Sequence, residues 1–319
     1  MRTIRWSIGT ILLALTAALP LEAESINPPT RSQTAPMTGQ EKKNLEMVMN
    51  WWREVLYAGH FELAPKYQAE NYIQHNPNVN TGRAGFIEFF SKRGVKAMNP
   101  IPKVMPADQV PVVSGAKGDF VWLIFEHEDK DPRNPANTYH YNSFDVLRIE
   151  NGKVQEHWDS AQKSAGSGAV KSGVSPQPPM QWSLGKLSKE EEKTLAMATE
   201  ELKDMLQYGH LELADKTMDP GYIQHNPNVP QGRDGFKQFM SRVPGRTPRE
   251  IKAEWVNAPS LTLINGPYSF MMWDRTAKDP DDPSREYTWN HFDVVRIEGL
   301  IKEHWDEARI NPPAAAPAR

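Results

Sequence analysis

Six of the nine histidines in this chain fall in matched pairs: His60 and His210, His75 and His225, His157 and His304. An imidazole titrates near neutrality and can give or take a proton there. His75 and His225 lie in the same block, YIQHNPNV, written twice. In the functional reading the ring points into a pocket mouth as an acid/base partner. In the plain reading the block is a polar turn that bonds its own backbone. Asp145 and Asp293 stand among apolar residues in two FDV segments. Burial there raises a carboxyl pKa, which suits a general acid or base, or a neutral donor to an enolate. The alternative is a surface aspartate paired with Arg148 or Arg296. His157 and Asp159 share one face of EHWD, as His304 and Asp306 do in the second copy. Tyr72, Tyr222, Asn142, Asn290, Trp158 and Trp305 are candidates for contacting substrate. His60 and His210 sit beside helix-ending glycines and read as caps. His127, His140 and His291 have no counterpart and are weaker candidates for chemistry shared by both copies. The chain has no cysteine, which excludes a thiol nucleophile and thiolate ligands. No ligand pair has helical or other metal spacing, so no metal is expected, and proton transfer by such groups requires no cofactor.

The elements that position these residues also come twice. The offset of the repeated block is 225 − 75 = 150. Such an internal repeat sets the domain count, here two units at 38–162 and 187–311. Thr38 to Glu41 and Ser188 to Glu191 are capping boxes, and each opens an amphipathic helix. Leu45, Val48, Met49, Trp52, Val55 and Leu56 form the first apolar face, ended by Gly59; Gly209 ends its counterpart. A short second helix and a third from Arg83 or Arg233 follow. Strands are expected over 119–127 and 268–274. A hairpin turning at Asn151-Gly152 joins 139–150 to 153–159, with its counterpart at 287–298 and 301–306.

The hairpin register decides which face carries the chemistry. A plain two-residue turn pairs Asp145 with Trp158 and puts His157 on the opposite face. A β-bulge reverses this. The second copy has one residue fewer between FDV and EHWD (303 − 293 = 10, against 156 − 145 = 11), so the two hairpins cannot share one plain register. Either Asp145 with Trp158, or His157 with Asp159, lines the pocket. Glu156 is expected to form a salt bridge, with Arg148 as partner.

The ends and the middle read differently. Residues 1–23 have a basic start, a short apolar run and a small residue at Ala23. This is the pattern of a secretory signal peptide and implies a periplasmic or secreted protein. Residues 24–37 are Pro- and Ser-rich and expected to be disordered, 163–186 form a linker in which Trp182 stands out, and 312–319 are a loose tail. The net charge of −3, without a basic stripe, gives no reason to expect a nucleic-acid partner. No membrane partner is expected once the leader is removed.

The motifs YIQHNPNVxxGRxGFxxF and FDVxRIExGKVxEHWD resemble the SnoaL-like polyketide cyclases of the NTF2-like superfamily, in the aldol-condensation branch. The resemblance implies an α+β fold: two cone-shaped barrels, each of three helices on a curved, mostly antiparallel sheet, paired as an intramolecular pseudo-dimer. Asp145 and Asp293 align with the acid/base aspartate of polyketide cyclases, a position that in ketosteroid isomerase holds a protonated oxyanion-hole aspartate. Asp159 and Asp306 align with a catalytic aspartate of the limonene-epoxide-hydrolase branch, although the Arg and second Asp of that branch are absent. The expected function is cofactor-independent lyase, isomerase or cyclase chemistry next to a carbonyl in an apolar pocket. A non-catalytic module for a hydrophobic small molecule is the alternative, and a structural pseudo-dimer with vestigial pockets is a third.

Overall fold

The computed structural model describes residues 25–167 and 185–310. The expected leader, Trp182 and the 312–319 tail lie outside these residues. The first unit runs β1 (Gln33–Thr34), α1 (Gly39–Trp51), α2 (Ala64–Tyr67), β2 (Gln68–Gln74), α3 (Arg83–Ser91), β3 (Val113–Lys117), β4 (Phe120–Lys130), β5 (Thr138–Glu150) and β6 (Lys153–Asp159). The second runs α4 (Lys189–Thr199), α5 (Ala214–Thr217), β7 (Met218–Gln224), α6 (Gly232–Met240), β8 (Leu261–Asn265), β9 (Tyr268–Lys278), β10 (Glu286–Glu298) and β11 (Leu300–Asp306). The α+β class therefore holds. The strand orders are β1-β3-β4-β5-β6-β2 and β7-β11-β10-β9-β8. The YIQ of each repeated block ends a strand that pairs in parallel with the EHWD strand. Among the described residues no helix is long and apolar enough to cross a membrane.

Both capping boxes form, with Thr38 and Ser188 accepting from the backbone of Glu41 and Glu191. Both helices then widen into a π-helical segment, Trp52–Tyr57 and Glu200–Met205. Gly59 and Gly209 follow with φ of 73° and 87°. At Gly209 a Cβ would also meet the Arg246 carbonyl oxygen at 2.7 Å, so the turn and the close approach both require glycine.

Each sheet has two buried faces, and strand alternation sorts their residues. Along β4, Val121, Leu123 and Phe125 pack on the helices of their own unit. Phe120, Trp122 and Ile124 point the other way, into a cluster shared with Phe270, Phe292 and Trp305 of the second unit. There Phe144 and Phe292 stack at 5.4 Å with planes 4° apart. The Trp122 indole N–H donates to Asn265 Oδ1 at 2.9 Å, and Asn265 Nδ2 donates to the Ala116 carbonyl at 2.6 Å.

The segment 24–37 is not disordered over its described part, a correction to the composition-based expectation. Gln33 and Thr34 pair with β3. The Asn27 side chain makes two bonds to the His140 backbone, at 2.9 and 3.0 Å. Thr30 N–H donates to Glu126 at 2.6 Å, while its hydroxyl lies 3.1 Å from His225 Nδ1 in the second unit. Prolines restrict the segment in the unfolded chain as well, so ordering it costs less entropy. The first residues of the expected linker are docked too: Lys163 pairs with Asp279 and Asp281, and Ser164 N–H donates to Asn78.

Replacing Asn265 by Ala strands the buried Trp122 N–H and the Ala116 carbonyl. The expected loss is about 1–3 kcal/mol, read as a lower urea midpoint at unchanged m-value.

Candidate functional site

One extra residue builds the site. In the first hairpin Arg148 faces Glu156, but Ile149 faces Val154, so Gln155 is bulged out. In the second, Arg296 faces Glu303 and Ile297 faces Ile301, with Lys302 bulged. The missing residue of the second copy comes out of the turn, which is Gly299 alone instead of Asn151-Gly152. Beyond the bulge the registers are therefore equivalent. Asp145 lies opposite Asp159 and Leu147 opposite His157. Asp145, His157 and Asp159 share the helix-facing side: of the two alternatives left open by the sequence, the bulged one is realised, with His157 and Asp159 lining the pocket and Asp145 beside them.

His157 Nε2 lies 2.7 Å from Asp145 Oδ1, and its Nδ1 lies 3.0 Å from Gln74 Oε1. Gln74 Oε1 also accepts from the Asn76 backbone N–H at 2.9 Å, which fixes it as the carbonyl end of the amide. The proton on Nδ1 is thereby assigned. Burial disfavours the His157 cation, but the hydrogen bond and charge of Asp145, helped by Asp159, outweigh it and raise the pKa. Asp159 is raised too, first by burial and then by the neighbouring Asp145 charge. It accepts from Asn76 Nδ2 at 2.7 Å and Ala161 N–H at 3.0 Å. Burial likewise pushes Tyr72 well above the usual phenol value. Its hydroxyl accepts from Gln74 Nε2 at 3.0 Å, leaving its own proton to donate. The donor atoms of Asp145, His157 and Asp159 lie within 4.8 Å of one another. Both imidazole nitrogens already have partners, so the cluster is a hydrogen-bonded Asp–His pair beside a second carboxyl.

These groups form one end of a cavity of about 540 Å³ walled by Trp51, Trp52, Phe86, Phe89 and Phe90. Asp145 Oδ2 makes no hydrogen bond among the described residues. The second unit repeats the constellation: His304 bridges Asp293 at 2.9 Å and Gln224 at 3.0 Å, and Asn226 holds Asp306 at 2.8 Å. Its cavity is only about 210 Å³ and differently lined. Glu201 stands where the first unit has Trp51, and His291 where it has Ser143. His291 Nε2 lies 3.0 Å from Asp293 Oδ2, and its Nδ1 2.6 Å from Glu307. Both oxygens of Asp293 are therefore engaged. Burial opposes the His291 cation, but the charge and hydrogen bond of Asp293 and then Glu307 carry its pKa to about 11. Asp293 is driven well below the usual carboxylate range: the His291 and His304 contacts override its burial.

Several expected site residues lie elsewhere. His75 stacks on Trp158 at 4.6 Å, and His225 on Trp305 at 5.0 Å, on the sheet face away from the cavities. His225 Nε2 lies 2.8 Å from Glu303. Neither histidine can partner Asp145 or Asp293 in proton transfer. Trp158 and Trp305 belong to the core between the units, so they do not shape a cavity. Asn142 and Asn290 are buried but line neither cavity, and Asn290 instead donates to Asp274 at 2.8 Å. Tyr72 lines the first cavity; Tyr222 bonds Glu201 at 3.0 Å beside the second. Glu156 pairs with Arg148 at 2.8 Å as expected. His60 and His210 cap no helix end with their side chains. Each clamps a loop, through the Met98 carbonyl at 2.9 Å and the Arg249 carbonyl at 2.6 Å. Gln74 and Asn76, with Gln224 and Asn226, were missed. Strand alternation through YIQH was the available signal, since it puts Tyr72 and Gln74 on one face and His75 on the other.

No protein-family model matches the chain, and no curated protein matches it. Solved structures do. A candidate polyketide cyclase from Acidithiobacillus ferrooxidans is 18% identical, over 39% of this chain and 89% of its own, with a TM-score of 0.27. A candidate SnoaL-like polyketide cyclase from Jannaschia is 14% identical over 39% and 88%, TM-score 0.27. An NTF2-like protein of unknown function from Mesorhizobium loti is 11% identical over 41% and 99%, TM-score 0.27.

The His304 cation has a stability consequence. Burial lowers its pKa, but Asp293, Glu201 and Asp306 raise it, to about 9. A raised histidine contributes fully below its unfolded value near 6.5 and loses that contribution as pH rises through the folded value. Urea midpoints should fall between about pH 6.5 and about pH 9, and His304→Gln should flatten part of that fall. An unchanged slope in the variant would contradict the pairing.

Proposed function

We propose that this is an exported protein of two tandem SnoaL-like units, and that its first unit transforms a hydrophobic carbonyl compound without a cofactor. The observation that carries this reading is the free Oδ2 of Asp145, at the end of an aromatic-walled cavity, with His157 fixed behind Oδ1. Such a carboxylate can remove a proton from the carbon next to a carbonyl, and the imidazolium holds it in place. Tyr72, whose proton is not committed to Gln74, is the donor for the enolate oxygen that develops, with Asp159 as the second carboxyl beside it. Return of the proton to another carbon gives isomerisation; attack of the enolate carbon on a second carbonyl gives cyclisation.

The shared cluster around Phe144 and Phe292 supports the two units as an intramolecular pseudo-dimer. The Asn265→Ala measurement tests that pairing. Export would place the protein in the periplasm or the medium with a mature chain starting at Glu24, which N-terminal sequencing of the native protein checks.

A panel of β-keto esters and cyclic enones offered to the full chain should reveal turnover. Asp145→Asn should then lower kcat by about a hundredfold or more, while ligand affinity changes little. Saturable binding with no turnover of any member would sink the enzyme reading and leave a binding module.

A further inference from the structure

The second unit's cavity is smaller than the first and carries more charged groups. Glu201 replaces the wall residue Trp51, Arg275 stands where the first unit has His127, and His291 replaces Ser143. Arg246 enters from the loop after α6, in the stretch that corresponds to Val95 and Lys96 of the first unit: the Arg246 and Thr247 backbone lies against Gly209, and the Val95 side chain with the Lys96 carbonyl lies against Gly59. That loop is anchored. Arg249 N–H donates to the Tyr208 carbonyl at 2.9 Å, and the Arg249 carbonyl is held by His210 at 2.6 Å.

The charged groups lining this cavity fall into two sets. Asp293 is bonded by His291 and His304, Asp306 by Asn226 and the Ala308 N–H, and Glu201 by Tyr222. Arg246 and Arg275 line the same cavity, and neither guanidinium makes a hydrogen bond or a close ion pair among the described residues, although the Asp293 charge reaches Arg246. Both are half-buried. A guanidinium withdrawn from water without a partner is unfavourable, and its planar fork matches a carboxylate with two parallel hydrogen bonds.

We propose that the second unit is a binding site for a small organic acid, its carboxylate held by Arg246 and Arg275. The volume of about 210 Å³ fits a short-chain acid and not the larger apolar compound that the first cavity could take. Trp273 and Met240 supply an apolar wall for the carbon chain. The two cavities thus serve different ligands, and this inference does not depend on whether the first unit is catalytic.

Isothermal titration of the full chain with acetate, succinate and citrate, at fixed salt, tests it. Succinamide serves as the uncharged control. At least one acid should bind and succinamide should not. Arg246→Ala and Arg275→Ala should each weaken that acid by about tenfold or more, with circular dichroism showing that both variants are folded. The nearby exposed Arg242 controls for surface charge, and Arg242→Ala should leave binding unchanged. The proposal is overturned if none of the acids binds, if succinamide binds equally well, or if the folded Arg246 and Arg275 variants retain wild-type affinity.

Discussion

The bulged residue in each EHWD hairpin is the constraint on which the site depends. With Gln155 in a plain register, His157 would point into the core between the units, and Asp145 would face the cavity alone. Extruding that residue turns the strand, so that the imidazole reaches Asp145 at 2.7 Å and Glu156 reaches Arg148 at 2.8 Å on the other face. The bulge thus sets two charged pairs at once, one on each side of the sheet. The second unit keeps it at Lys302 although its turn is one residue shorter. What the two copies share is the pairing beyond the bulge, and the turn is free to vary.

The two faces of each sheet then carry separate tasks. The helix-facing side holds the cavity, with Tyr72, Gln74, Asn76, Asp145, His157 and Asp159 along one end. The opposite side holds the apolar cluster that joins the units, with His75 and His225 lying flat on Trp158 and Trp305. The segment before the first helix reinforces this junction. Thr30 accepts from the Trp305 indole N–H at 3.2 Å and also contacts His225. A Glu303 carboxylate accepting from His225 Nε2–H leaves Nδ1 as the acceptor for the Thr30 hydroxyl, so every polar atom of that chain is satisfied. A histidine kept twice in sequence can therefore be kept for the joint between units.

Much of the fold was legible. The capping boxes at Thr38 and Ser188, the helix-ending Gly59 and Gly209 and the long hairpins follow from local rules, and the structure contains all of them. The acidic groups of the site were legible as well. The partner of Asp145 was not, because a bulge is fixed by how two strands pair and leaves little local trace. Residues 24–37 misled for a related reason. Their composition is that of an unstructured segment, but their polar groups find partners on strands far away in sequence, at Glu126, His140 and His225. His291 was set aside because it has no counterpart in the first copy, yet that difference is what closes Asp293 off.

The central claim is that Asp145 and His157 form a buried charged pair with one carboxylate oxygen left open to the cavity. The most direct measurement is a pH titration of the His157 ring nitrogens by ¹⁵N NMR, in the wild type and in Asp145→Asn. The account predicts a ring protonated on both nitrogens to well above the ordinary histidine pKa, and a fall in that pKa when the carboxylate is replaced by an amide. A His157 ring that titrates at its ordinary value and ignores Asp145→Asn would contradict it.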